Sequence, residues 1–325
     1  MSVVVSVVVP TFRRPALLER CLAALLTQDF APEQYEIIIV DDAASKETRQ
    51  QIDRVSLGAA EKGCALRYLA TNGSCGPATA RNRGWQAARG QIIAFTDDDC
   101  IPEQRWLSEG VAAFTGDIMA VSGRIVVPLP PRPSDYEYDT AHLAESEFAT
   151  ANCFYRRDAL VEMGGFDERF RLAWREDSDL FFRLLEHSAR CIVCPTAVVL
   201  HPVRPARWGV SLSQQRKSMF NVLLYKKHPR LYRERIQATP PWQYYCAVGA
   251  LLVLLLGCVG QSWPLSVAAS AFWLLVTARF CLLRLQHTSH SLQHVSEMII
   301  TSALIPPLAI FWRIFGMLVF RVFFL

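Results

Sequence analysis

The sequence predicts an α/β chain, a doubly wound and largely parallel sheet followed by C-terminal transmembrane helices. Three observations carry that expectation. Apolar, β-rich runs alternate with helical stretches through the first third of the chain. Aspartates collect where those runs end, at Asp41, Asp42 and Asp97 to Asp99. Far downstream, Ile236 to Ala278 contains no charged side chain.

Each element follows from its pattern. "VSVVVP" is a continuous apolar run and reads as a buried strand. The opening "MSVVVSVVVPTF" has no basic residues before its apolar run and is too short to span a bilayer. A first strand explains it better than a signal peptide does. "RPALLERCLAALLTQ" spaces Leu17, Leu18, Cys21, Leu22, Leu25 and Leu26 at helical intervals. "YEIIIVDD" gives a second strand, "ASKETRQQIDRV" a polar helix and "CALRYLAT" a third strand. "GPATARNRGWQAARG" reads as a helix closed by Gly90, and "QIIAFTDDD" as a fourth strand. Pro128 to Thr150, rich in Pro, Tyr and acids, is expected to be a long loop or mobile segment over the site. "AWREDSDLFFRLLEHSA" is helical with Leu180, Phe181, Leu184 and Leu185 inward, and "CIVCPTAVVLHP" is a late strand. Ligands of open α/β sheets bind outside the carboxyl ends of the strands, which is where the aspartates lie.

Composition narrows the class. The chain has 325 residues and is 51% hydrophobic, enough for a large buried core. Its net charge of +4 is divided unevenly, because the last 85 residues carry four arginines against the single acid Glu297. A weakly cationic, apolar tail suits an anionic membrane surface and not nucleic acid. The ten cysteines are scattered, and "CIVC" (Cys191, Cys194) lacks the second pair that a zinc site needs. Buried thiols in a reducing compartment are expected.

Within the tail, Trp242 to Gly260 and Trp263 to Leu283 are each about one bilayer long, separated by a short turn. Trp242, Tyr244, Tyr245 and Trp263 are placed as interfacial aromatics. The last segment, about residues 296–325, is broken by Pro306 and Pro307. It reads either as a kinked third span or as an interfacial helix with Arg313 and Arg321 along one side. The expected division is residues 1–235 as a catalytic domain and 236–325 as a membrane region. The basic run Arg216 to Arg235 and the pair Arg279 and Arg284 place the first domain in the cytoplasm and the chain, multi-pass, in the inner membrane.

Three adjacent carboxylates at a strand end repel one another unless a cation sits among them. Mg²⁺ or Mn²⁺ bound to phosphate oxygens is the natural partner. Alternate residues of an extended segment point the same way, so Asp97 and Asp99 are expected to share a face, with Asp98 pointing elsewhere. An acidic turn would look the same.

Six segments together decide the matter: "VSVVVPTFRRPALLERCLAALLTQ", "YEIIIVDDAAS", "NGSCGPATARNRG", "AFTDDDCIPEQRWL", "CFYRRDALVEMGGFDERF" and "WREDSDLFFRL". In this order, over roughly Ser2 to His228, the chain resembles a membrane-anchored, bacterial-type family 2 glycosyltransferase. That family has the GT-A fold, inverts at the anomeric carbon and uses nucleotide sugars. The resemblance implies that Pro10 and Thr11 line the base pocket, that Asp42 accepts from the base with Asp41 in support, and that Asn72 and Gly76 shape the next loop. Arg81 would reach base or phosphate, with Asp97 and Asp98 also on the donor side. Asp97 and Asp99 match the acidic metal motif, and His201 is a further metal or diphosphate contact. Asp177 is implied as general base, with Glu176 orienting a substrate and Trp174 stacking on the acceptor. Acids opening a helix would also suit its dipole. The "QxxRW" pattern of processive members is absent, with "QQRKS" (Gln214 to Ser218) only a partial echo, which favours one sugar per encounter.

The implied partners are a UDP-, GDP- or dTDP-linked sugar, Mg²⁺ or Mn²⁺, and a lipid or lipid-linked acceptor in cell-envelope polysaccharide or glycolipid synthesis. A nucleotidyltransferase would need a Gly-rich loop after the first strand, which "PTFRRPALL" lacks. A non-catalytic sugar-nucleotide-binding membrane subunit is the alternative of another class.

Overall fold

The computed structural model describes residues 3–324. Met1, Ser2 and Leu325, at the ends of the expected first strand and last span, lie outside the described residues. One sheet holds eight strands: β1 (Val5–Thr11), β2 (Tyr35–Asp41), β3 (Ala65–Ala70), β4 (Ile92–Phe95), β5 (Ile101–Pro102), β6 (Ile118–Val126), β7 (Cys153–Arg156) and β8 (Arg190–Leu200). Their order is β3-β2-β1-β4-β7-β6-β8-β5. β3, β2, β1 and β4 are mutually parallel, so all four end at one edge. β7 is antiparallel to both β4 and β6, and β6 runs parallel to β8. The mixed sheet, flanked by helices, is the GT-A arrangement.

The apolar runs behave as expected. Every residue of β2 is buried, and so is β1 apart from the half-buried Pro10. Runs like these need cover on both faces. The helix Pro15–Leu25 supplies part of it through Leu18, Cys21, Leu22 and Leu25. Further along the sheet, fully buried Trp106 packs on Phe154 with ring centroids 5.0 Å apart and donates its indole N–H to Asn152.

Gly90 does not close the third helix. That helix is Pro77–Ala87, and Ala88 is already extended at ψ 149°. Gly90 instead lies against β1, where a Cβ would sit 2.7 Å from the Ser6 nitrogen. The glycine serves a close approach of two backbones, which sequence alone does not distinguish from a cap.

The chain forms two compact units. The first contains the sheet and comprises the residues up to Pro128 with His142–Pro202. The second comprises Leu129–Ala141 and the residues from Val203 onward. The second compact unit thus also takes in the stretch from Val203 to residue 235. That stretch packs on the final helix: Phe220 meets Phe320, and the Lys226 ammonium donates to the Phe320 carbonyl at 2.7 Å.

Pro128 to Thr150 is not a structureless loop. Asp135–Ala141 is a helix, followed by a 3-10 turn at His142–Glu145. In the second unit, the Arg284 guanidinium grips both oxygens of Asp135 at 3.1 and 2.7 Å and also donates to Thr301 and Ser302. Ser289 N–H donates to the Pro133 carbonyl, and Tyr138 stacks on His287.

Three helices of the second unit are long and apolar enough to cross a bilayer: Trp242–Val259, Trp263–Leu285 and Leu292–Phe320. The third runs unbroken through Pro306 and Pro307. A proline removes one backbone donor, but a helix packed on neighbours tolerates that loss. Here both other long helices and Met219–Lys227 pack against it. The expected cationic line along this helix does not form. Arg313 is buried beneath the Phe324 ring, 3.8 Å from its centroid, and Arg321 sits beyond the last turn in the left-handed region at φ 52°.

Candidate active site

The carboxyl ends of β1, β2 and β4 bring the predicted residues to one edge of the sheet. Thr11 ends β1 beside Asp41, which ends β2, and Asp42 N–H donates to the Thr11 carbonyl at 2.9 Å. Pro10, just inside, pairs with Val40.

Asp41 and Asp42 are buried and already engaged. Asp41 accepts from the Ala43 and Ser45 backbone N–H groups and from the Tyr68 hydroxyl. Asp42 accepts from the Thr71 hydroxyl at 2.8 Å and from the Cys75 and Gly76 N–H groups, both at 2.9 Å. It therefore shapes the loop that leads into Pro77–Ala87. Asn72 is exposed on that loop. Gly76 sits at φ +97°, and a Cβ there would lie 2.5 Å from the Arg171 carbonyl oxygen. Only glycine fits both conditions.

Asp97 to Asp99 do not alternate as an extended strand would. The segment turns, with Cys100 N–H donating to the Asp97 carbonyl at 3.1 Å. The three carboxylates go to three destinations. Asp97 meets the Arg81 guanidinium at 2.8 Å. Asp98 is buried, accepting from the Thr11 hydroxyl at 2.8 Å and from Arg14 at 3.2 Å. Burial pushes its carboxyl up to about 6, with Arg14 opposing and the charge of Asp99 adding. Asp99 lies 3.5 Å from Nε2 of His201, which follows the end of β8.

Asp99, Cys100 and His201 present one ligand atom each, all within 4.8 Å of one another. Nδ1 of His201 is buried without a hydrogen bond among the described residues. Burial drives the Cys100 thiol well above its ordinary range, and sulfur is a soft donor mismatched to hard cations such as Mg²⁺. Carboxylate and imidazole remain, a donor set that accepts Mn²⁺ or Mg²⁺ and leaves positions for phosphate oxygens. The residues present fit a divalent cation.

Arg81 ties the acidic turn to the second acidic motif. Its guanidinium is buried, with Nη2 on Asp97 and Nη1 on Glu176, each at 2.8 Å. The opposing carboxylates outweigh burial and hold it firmly protonated. In this structure Arg81 joins two carboxylates, a role its position in "ARNRG" did not reveal. The neighbouring Asn82 pins the same helix by accepting from Phe166 N–H and donating to the Phe166 carbonyl.

Glu176 and Asp177 open the helix Glu176–Glu186. Glu176 is buried, and its second oxygen has no hydrogen-bond partner among the described residues. Desolvation raises its carboxyl above the usual range, and Arg81 restrains the rise. Asp177 stays partly exposed, accepts from Ser178 N–H at 2.7 Å and is also raised by desolvation. Trp174 is exposed, with the Arg175 guanidinium 4.6 Å from its ring centroid.

Three non-glycine residues in the left-handed region surround these groups: Arg13 after β1, Ala44 after β2 and Arg175 before Glu176. Such conformations cost about 1–3 kcal/mol each and persist where the surroundings demand them. Sequence reasoning found the acids but missed Arg14, Thr71, Tyr68 and Asn82. Their partners lie 27 to 84 positions away, so no local pattern announces them.

Comparison with known proteins gives the family and the fold. The family model described as glycosyl transferase family 2 matches residues 6–166, and that described as glycosyl transferase family group 2 matches residues 90–316. Glycosyltransferase AglE of Haloferax volcanii is 28% identical over 172 residues, covering 50% of this chain and 55% of that protein. The GalNAc(5)-diNAcBac-PP-undecaprenol beta-1,3-glucosyltransferase of Campylobacter jejuni is 35% identical over 95 residues, 29% of each chain. The chain thus spans about half the length of the first relative and less of the second. A solved mannosyltransferase of Pyrobaculum calidifontis, PcManGT in complex with GDP-Man and Mn²⁺, superposes with a TM-score of 0.61 at 20% identity. It covers 95% of this chain and 86% of that one, and establishes the fold. The chain belongs to glycosyl transferase family 2.

Proposed function

We propose that this chain is a membrane-anchored, inverting glycosyltransferase that moves a sugar from a UDP-, GDP- or dTDP-linked donor to a lipid-linked acceptor. The observation that carries the reading is the joining of Asp97 to Glu176 through Arg81, which sets the donor-side acids beside Asp177. The family supports transfer. The acceptor is inferred from the three long apolar helices and from the undecaprenol-linked substrate in the Campylobacter enzyme's name. Residues 236–325 then form the membrane region, and the sheet-bearing unit faces the cytoplasm.

The reaction is a single displacement. The acceptor oxygen attacks the anomeric carbon, the bond to the diphosphate oxygen breaks, and configuration inverts. Asp177 takes the acceptor proton. Partly exposed and, among the described residues, with no cation held against it by a hydrogen bond, it is freer to do so than Glu176 or Asp97. Arg81 holds Glu176 in place as an orienting group. Trp174 offers a sugar-stacking face. Pro10, Thr11 and the loop carrying Asn72 flank the base, and Asp41 and Asp42 fix that pocket's walls. Asp99 and His201, with Asp97 of the same turn as the further expected ligand, would hold Mg²⁺ or Mn²⁺, which when bound supplies charge neutralisation to the leaving diphosphate.

The test is transfer in vesicles with matched soluble and polyprenyl-linked acceptors. Asp177→Asn should lower transfer by about 10²–10⁴-fold with donor affinity retained. Transfer by wild type should fall as pH drops, at a value above the ordinary aspartate range, because burial raises the Asp177 carboxyl and only its ionised form accepts the proton. Full activity in Asp177→Asn would remove Asp177 as the base. Equal use of soluble acceptors would remove the lipid-linked substrate.

A further inference from the structure

We propose that the second unit contains a binding site for the phosphate head of an amphiphilic lipid, built around Arg313. The site is a cavity of about 470 Å³. Its lining joins Arg313 and Gln243 with Ser218 and Asn221 on the polar side and Phe280 and Ile310 on the apolar side.

Two features mark it as a site and not a packing fault. Arg313 is only 7% exposed, yet its Nη2 has no hydrogen bond among the described residues. Its recorded contacts are the face of Phe324 and a long bond from Nε to the Phe324 carbonyl at 3.4 Å. No carboxylate of the described residues pairs with it. An ionised group buried on an apolar helix is expensive and by default marks a function. Second, Gln243, on a different helix, lines the same cavity, and its Nε2 is also buried without a hydrogen bond among the described residues. Two residues that line one cavity thus each carry a buried donor without a hydrogen bond among the described residues, which calls for an acceptor that brings its own negative charge.

The lining selects the ligand class. A guanidinium and an amide suit phosphate oxygens, and guanidinium binds them as a planar fork. Phe280, Ile310 and Ala309 suit the first carbons of a hydrocarbon tail. Inorganic phosphate would leave that side unused. An isoprenoid phosphate and an anionic glycerophospholipid share the required chemistry. The site makes no use of the acidic edge of the sheet, so it stands whether or not the transferase reading does.

Binding should be measured on the full-length protein in neutral detergent, without nucleotide sugar, by calorimetry. The probes are farnesyl phosphate, farnesol, short-chain phosphatidylglycerol, short-chain phosphatidylcholine and inorganic phosphate. Farnesyl phosphate or phosphatidylglycerol should bind, farnesol and inorganic phosphate should not. Which of the two binds more tightly tells whether the natural occupant is an isoprenoid substrate or bulk lipid. Arg313→Met should weaken binding by about tenfold or more, and Arg313→Lys by less. Gln243→Leu, an apolar replacement on an apolar helix, should also weaken it and guards against a misfolded Arg313→Met protein. The proposal is overturned if no anionic amphiphile binds, if farnesol binds as well as its phosphate, or if Arg313→Met and Gln243→Leu bind as wild type does.

Discussion

Arg81 shows how a single residue can be found in a sequence while its partners in the fold stay hidden. Its place in "ARNRG" points to a ligand contact, and in the fold its guanidinium also joins Glu176 and Asp97. Glu176 follows Arg81 by 95 positions, so the pairing is invisible until the sheet brings the two helices together. Asp41, Asp42, Asp98 and Asp99 were legible because strand ends are local features. Their partners were not, for the same reason of distance. The triad predicts a large stability effect. Arg81→Met leaves two carboxylates facing each other and should cost about 3–5 kcal/mol. Arg81→Lys should recover little, since one ammonium does not replace the fork. Thermal melts in detergent followed by intrinsic fluorescence would show this, and an unchanged melting temperature would mean that Glu176 and Asp97 hold their places unaided.

Elements were read more surely than their ends. The alternation of strand and helix came through because β1, β2 and β4 are buried on both faces and the helices between them carry one apolar side. The misplaced helix end at Gly90 and the unforeseen helix Asp135–Ala141 share a cause: both depend on contacts made elsewhere, with β1 in one case and with Arg284 in the other. Pro306 and Pro307 predicted a break that packing cancels. The loop before Pro77–Ala87 gives the sharpest test at this scale. Gly76→Ala meets both an unfavourable φ and the Arg171 carbonyl. It should weaken nucleotide-sugar binding by about tenfold or more and lower the melting temperature. Gly73→Ala, with φ +105° on the same loop but open space around its Cβ, should be milder. Equal effects from the two would show that strain alone, without the Arg171 contact, governs the loop.

Across the whole molecule, the charge asymmetry of the sequence becomes three long apolar helices. The chain should sediment with membranes and resist carbonate extraction. Cys258, exposed near the end of Trp242–Val259, should be labelled by an impermeant thiol reagent from outside the cytoplasm. Labelling from the cytoplasmic side would reverse the proposed orientation. The central claim, that the acidic edge of the sheet handles a nucleotide sugar with a divalent cation, is tested most directly by donor hydrolysis. Purified protein would be given UDP-, GDP- and dTDP-sugars with Mn²⁺, with and without chelator, beside Asp99→Asn, and nucleotide binding would be measured in parallel. The account predicts that one donor binds in a metal-dependent way and slowly releases nucleoside diphosphate, and that chelator or Asp99→Asn abolishes both. Absence of metal-dependent binding for every donor would contradict it.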